Sequence, residues 1–189
     1  MRVHVAVAAL AIFAWQARAE PAVSVALLNP GFEEAARSGE TCAPGWSCTM
    51  HNDPHSFRFF YDETHPLSGA RSLCIEPSGH ETWALASQRT FDVAAMRGTH
   101  VRFSAAVRLD SVTGEGAGPI AHVQGGSGQI VAHGSQLEKG TRGWERVAVE
   151  IDVPRTASFV EVGLMLQGAG RACMDDTRLE IMGPARGPV

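Results

Sequence analysis

The adjacent acids Asp175-Asp176 have the plainest catalytic potential in this 189-residue chain, because paired carboxylates can cleave a glycosidic bond as general acid and nucleophile or base. They sit in a strand-like run from Cys173 to Met182, where neighbouring side chains point to opposite faces, so the two cannot address one bond. His51 and His55, with Glu63 and His65 nearby, are metal-ligand types. Asn52-Asp53-Pro54 between the two histidines implies a turn, so their spacing does not put both rings on one face. Gly125-Gly-Ser-Gly-Gln129 approaches a nucleophile elbow but lacks the final glycine and precedes no helix. No catalytic residue is assigned. The four cysteines, Cys42, Cys48, Cys74 and Cys173, contain no Cys-x-x-Cys, which argues against a zinc knuckle or a redox motif. In an oxidising compartment an even count implies disulfides, with three pairings open. Cys42 and Cys48 lie close enough in a Pro/Gly-rich loop to close a small ring, which would leave Cys74 for Cys173.

The elements that must position these residues are strands. Val101, Phe103, Ala105, Val107 and Leu109 alternate with Arg102, Ser104 and Arg108, and the same period returns at Val147–Val153 and Val160–Leu166. Shorter strands are expected at Leu27–Glu33, Phe57–Tyr61, Ser72–Glu76, 85–91, Ile120–Gln124, Gln129–His133 and Cys173–Met182. No stretch longer than a turn or two has helical period, which excludes a parallel α/β sheet. The pattern predicts an all-β fold, a two-sheet antiparallel β-sandwich of the jelly-roll kind. Thr113–Pro119 is expected as a flexible surface loop and Gly125–Gly128 as a hairpin turn. One domain, 20–182, is expected between a leader and a disordered tail, 183–189.

Met1-Arg2-Val3-His4, the apolar run Val5–Trp15 and Ala17-Arg18-Ala19 have the order of a signal peptide, cleaved after Ala19. The apolar run is well short of the roughly 20 residues that span a bilayer, and no later run is long enough. Removal of Arg2 and Arg18 leaves 14 basic against 20 acidic side chains, which disfavours a nucleic-acid partner. The chain is therefore expected to be secreted or periplasmic.

Leu28-Asn-Pro-Gly-Phe-Glu-Glu34, Gly45-Trp46, Ser68-Gly-Ala-Arg-Ser-Leu-Cys-Ile75, Gly143-Trp-Glu-Arg-Val147 and Cys173-Met-Asp-Asp-Thr-Arg-Leu179 occur in the order of a known pattern. Together they resemble the galactose-binding-like jelly rolls, and within them bacterial carbohydrate-binding modules of the xylan- and glucan-binding kind. The resemblance implies that a first strand at Asn29–Glu33 lies near the last and that Cys74 bonds Cys173. It also implies a structural calcium, with oxygens from Gly31, Arg71 and Asp175 and Glu33 as a further ligand, a set suited to a hard cation.

Sugar sites combine aromatic faces with planar hydrogen-bonding groups. Candidates are Trp83 in His80-Glu-Thr-Trp83, Tyr61, Gln88, Arg102 and Glu161, whereas Trp46 and Trp144 occupy scaffold positions. Met165 departs from the modules that carry an amide there. Non-catalytic carbohydrate binding is the expected function. A protein-binding envelope or extracellular domain is the runner-up, and a small polysaccharide-active enzyme the third reading.

Overall fold

The run Ala157–Gln167 shows how alternation makes a sheet. Val160, Val162, Leu164 and Leu166 are completely buried on one side, so Glu161, Met165 and Gln167 must face the other. The structure is a computed structural model describing residues 21–36, 40, 42–90 and 92–187; the segment read as a signal peptide, 1–19, lies outside them.

Ten strands form: β1 (Val23–Val25), β2 (Ser47–Met50), β3 (Phe57–Asp62), β4 (Ser72–Pro77), β5 (Trp83–Thr90), β6 (Thr99–Gly125), β7 (Ile130–Ser135), β8 (Glu138–Asp152), β9 (Ala157–Gln167) and β10 (Arg171–Pro184). No helix occurs among the described residues, and every pairing is antiparallel. One sheet runs β3-β4-β10-β6-β8, with β1 alongside the second half of β10. The other runs β2-β5-β9-β6-β7. The fold is the expected antiparallel β-sandwich.

Strand β6 belongs to both sheets. Its residues up to Val112 pair with β8 and β10, and those from Gly116 onward with β9 and β7, apart from Ala117, which also meets Glu138 of β8. With β7 and β8 it makes one long bent hairpin, turned where Gly128 N–H donates to the Gly125 carbonyl over 3.0 Å. The turn falls where the sequence places it. The surface loop expected at Thr113–Pro119 does not exist: that segment is the crossing between the sheets. Thr113 N–H donates to the Ala169 carbonyl over 3.0 Å where the β9–β10 connection passes over it. Gly168 has φ +133° there, and a Cβ on it would lie 2.2 Å from the Thr113 carbonyl oxygen. The glycines that suggest a loop are instead what lets two backbones touch at a sheet corner.

The core lies between the sheets, with Phe103, Ile75, Leu73, Met174 and Leu179 from the first meeting Val160, Leu164 and Leu166 from the second. Trp46 joins it beside Phe32, rings 5.1 Å apart. Both expected disulfides are formed, Cys42–Cys48 and Cys74–Cys173. The second joins directly opposed residues of β4 and β10 on the outer face of the first sheet.

Two boundaries differ from expectation. Leu27–Glu33 is not a strand, because Asn29 and Phe32 adopt positive φ (44° and 61°) and turn the chain. The turn still reaches β10, where Thr177 donates its N–H and its hydroxyl to the Pro30 carbonyl, both over 2.9 Å. At the other end β10 runs to Pro184, and Asp152 accepts the Arg186 and Gly187 N–H groups at 3.0 and 2.9 Å. Residues 183–187 are therefore held by hydrogen bonds where a disordered tail is expected; the last two residues lie outside the described ones.

Candidate functional site

The outer face of the second sheet follows from strand register. Ala84 and Ala86 of β5 and Ala121 and Val123 of β6 point into the core, so Trp83, Leu85, Ser87, Arg89, Ile120 and His122 point outward. Pairing aligns these with β9 in rows. Trp83 lies opposite Gln167, Leu85 opposite Met165, Ser87 opposite Gly163 and Arg89 opposite Glu161. On the far side of β9, Ile120 faces Gly163 and His122 faces Glu161, and β7 continues the rows with Ser135 and His133.

The middle of this face is shielded from solvent. Ile120, Ser87, Glu161 and Leu85 are 0, 1, 5 and 6 % exposed although they point away from the core. Gly163 lies buried among them, and a Cβ there would come 2.1 Å from the Ala86 carbonyl oxygen, so only glycine fits. At one end stands the half-exposed ring of Trp83, its centroid 6.1 Å from that of His51, whose Nδ1 lies 2.9 Å from a Glu81 carboxylate oxygen. At the other end Glu161 accepts the Ser87 hydroxyl at 2.8 Å and the Arg89 Nε–H at 3.0 Å, and the Arg89 guanidinium lies 5.2 Å from the Phe159 ring centre. Burial depresses the pKa of His122, with neighbouring Glu161 opposing and His133 reinforcing the shift. A half-exposed aromatic at one end and planar hydrogen-bonding groups at the other suit a polyhydroxylated ring.

The five sequence candidates do not share one site. Trp83 and Glu161 are on this face. Gln88 turns inward, where its amide grips Leu28 by accepting the Leu28 N–H at 2.8 Å and donating to its carbonyl at 3.0 Å, so it clamps the N-terminal turn to β5. Arg102 lies on the outer face of the other sheet, its Nε 3.9 Å from Glu150. Tyr61 belongs to that sheet too, packed against the core and donating its hydroxyl to the Glu34 carbonyl over 2.9 Å. Trp144, expected in the scaffold, also lies outside the core, with the Arg108 guanidinium 5.2 Å from its ring centre. Ser87, Arg89, His122 and His133 are missed by the sequence reading. The register of the hairpin turned at Gly125–Gly128 would pair the two histidines, and period two would put both on the Glu161 side.

On the opposite edge, Asp175 and Asp176 diverge as expected. Asp176 is bound on the surface by Arg146 and Arg178, while Asp175 is wholly buried. The Asp175 carboxylate accepts N–H groups of Leu67 (3.0 Å), Ser68 (3.0 Å) and Asp176 (2.7 Å). Burial raises its pKa, the three N–H donors oppose that, and the charge on Glu33 adds to the rise. Glu33 accepts the Ala70 N–H at 2.9 Å, and a point off Gly31 lies 4.0 Å from both Asp175 Oδ1 and Glu33 Cγ. Two neighbouring carboxylates, Asp175 and Glu33, suit a hard cation. The Arg71 side chain leaves this cluster for Glu63, at 3.4 Å, and for the Tyr61 ring, so only its backbone could contribute.

No family model and no curated protein matches the sequence. Solved structures do. The xylan-binding domain CBM22-1 of Paenibacillus barcinonensis Xyn10C superposes with a TM-score of 0.61 at 16% identity, over 90% of this chain and 100% of that one. The C-terminal family 22 carbohydrate-binding module of Clostridium thermocellum Xyn10B gives 0.55 at 15%, over 84% and 94%. The chain has the β-sandwich fold of these modules. A structure described under CBM4 gives 0.54 at 17% identity, over 84% of this chain and 99% of that one. No helix of the described residues is long and apolar enough to cross a membrane.

Proposed function

We propose that this is an exported, non-catalytic binding protein that takes a xylan- or glucan-like polysaccharide along the outer face of β5, β9 and β6. The observation that carries the reading is the row system ending at the half-exposed Trp83, on a sandwich that superposes with a xylan-binding domain over 90% of this chain. The Trp83 ring stacks on one sugar, the part-exposed Met165 takes the apolar face of a neighbour, and Gln167 and Arg89, the latter fixed by Glu161, hold hydroxyls. Hydrolysis needs a second carboxylate about 5–9.5 Å from the first across the scissile bond, and among the described residues of these rows Glu161 stands without one. Two disulfides accord with an oxidising compartment, as the N-terminal leader pattern does. Asp175, Glu33 and the backbone at Gly31 and Arg71 hold calcium, which neutralises the buried carboxylate and ties the N-terminal turn to β10.

Affinity electrophoresis in gels cast with soluble xylan or mixed-linkage β-glucan tests the reading. The protein is retarded by one of them and Trp83→Ala is not. Unretarded wild-type protein that co-purifies with a protein partner would instead favour the extracellular interaction domain.

A further inference from the structure

We infer that His122 and His133 together chelate a divalent transition ion of the zinc, nickel or copper class at the Glu161 end of the outer face. The two residues are direct cross-strand partners of β6 and β7 on the same side of the sheet. Opposed residues in an antiparallel pair have Cβ atoms about 5 Å apart, close enough for two imidazoles to turn one nitrogen each toward an ion at about 2.1 Å. Neither ring has a hydrogen-bond partner among the described residues. By contrast His51 meets Glu81, His65 meets the Thr64 hydroxyl, and His100 is held between Asp152 and Glu150.

The neighbouring row position strengthens the assignment. Glu161 is the direct partner of His122 on β9, and Ser87 and Arg89 fix its carboxylate. Its negative charge beside His122 favours a cation bound there. Imidazole ligands favour zinc, copper and nickel over the hard cations that suit the all-oxygen Asp175 cluster, so the two sites sort ions by chemistry. The preformed three-ligand cluster among the described residues, Asp62 with Cys74 and Cys173, is no competitor because both sulfurs are in a disulfide. An ion held by two histidines keeps open coordination positions.

The test is calorimetric titration of chelator-stripped, untagged protein with zinc chloride and with nickel chloride, in a non-coordinating buffer containing calcium. One ion per chain binds, and His133→Ala and His122→Gln each weaken it at least about tenfold, while His51→Ala does not. His133 is exposed, so its substitution leaves the fold intact, which circular dichroism checks. In the copper-loaded protein, hyperfine splitting from two nitrogens drops to one in His133→Ala. No saturable binding below about 1 mM, or binding that survives both substitutions, overturns the inference. No sugar is present in these measurements, so loss of the glycan reading leaves the chelate standing and the reverse also holds.

Discussion

At the scale of single residues, the proposed binding face rests on one aromatic and one buried carboxylate, Trp83 and Glu161. Trp83→Ala removes a half-exposed ring at a strand end, so it abolishes polysaccharide retention while lowering the melting temperature by no more than a few degrees, as thermal unfolding would show. Glu161→Ala acts differently. It leaves the Ser87 hydroxyl and the Arg89 guanidinium without their acceptor, so it costs about 1–3 kcal/mol of stability as well as binding. On the other sheet, burial would raise the pKa of Asp62, but the Thr64 hydroxyl, Arg108 and the Thr64 and His65 N–H groups hold it well below the usual carboxylate range. A depressed folded pKa contributes stability above the unfolded value near 3.9 and loses it as pH falls. Asp62→Asn should therefore flatten the acid limb of a stability-against-pH curve and cost about 2 kcal/mol at pH 7, measured by urea unfolding.

At the scale of elements, the long hairpin of β6 with β7 and β8 couples the sheets, and its corner depends on backbone contact. Gly168→Ala meets both a positive φ and a carbonyl 2.2 Å from the new Cβ, whereas Gly140→Ala meets only a φ of +91° with open space around it. The first should cost about 3 kcal/mol or more and the second about 1 kcal/mol, in urea titrations of the two variants. The corner also marks where the sequence is silent. Strands with clean alternation, Val101–Leu109 and Val160–Leu166, are legible because one face is buried and the other is not. Thr113–Pro119 reads as a loop because its glycines serve close approach of another segment, a tertiary demand that local pattern does not carry. Gln88 misleads for the same kind of reason: its partner, Leu28, is 60 residues away. The placing of Trp83 and Glu161 on one face is legible from parity, while that of His133 beside His122 follows only from register.

At the scale of the molecule, two covalent closures and the proposed cation site bear on stability unequally. Cys74–Cys173 spans a sequence separation of 99 and Cys42–Cys48 one of 6. Loop-closure entropy assigns them roughly 4.7 and 2.4 kcal/mol, so the Cys74→Ala/Cys173→Ala double variant should lose about twice as much as Cys42→Ala/Cys48→Ala in denaturant titrations. Calcium should raise the melting temperature at pH 7, where it offsets the burial of ionised Asp175. Its benefit should fade on acidification, because a raised folded pKa means that protonation already removes that cost. Calorimetry with and without chelator, at pH 7 and pH 4.5, checks the sign.

The central claim is that the Trp83 face binds polysaccharide. Isothermal titration of the wild-type protein and Trp83→Ala with xylohexaose and cellohexaose tests it most directly. Saturable heat with one oligosaccharide, absent in a folded Trp83→Ala, is the predicted result. Equal binding by both proteins, or no heat from either oligosaccharide with the wild type, would contradict it.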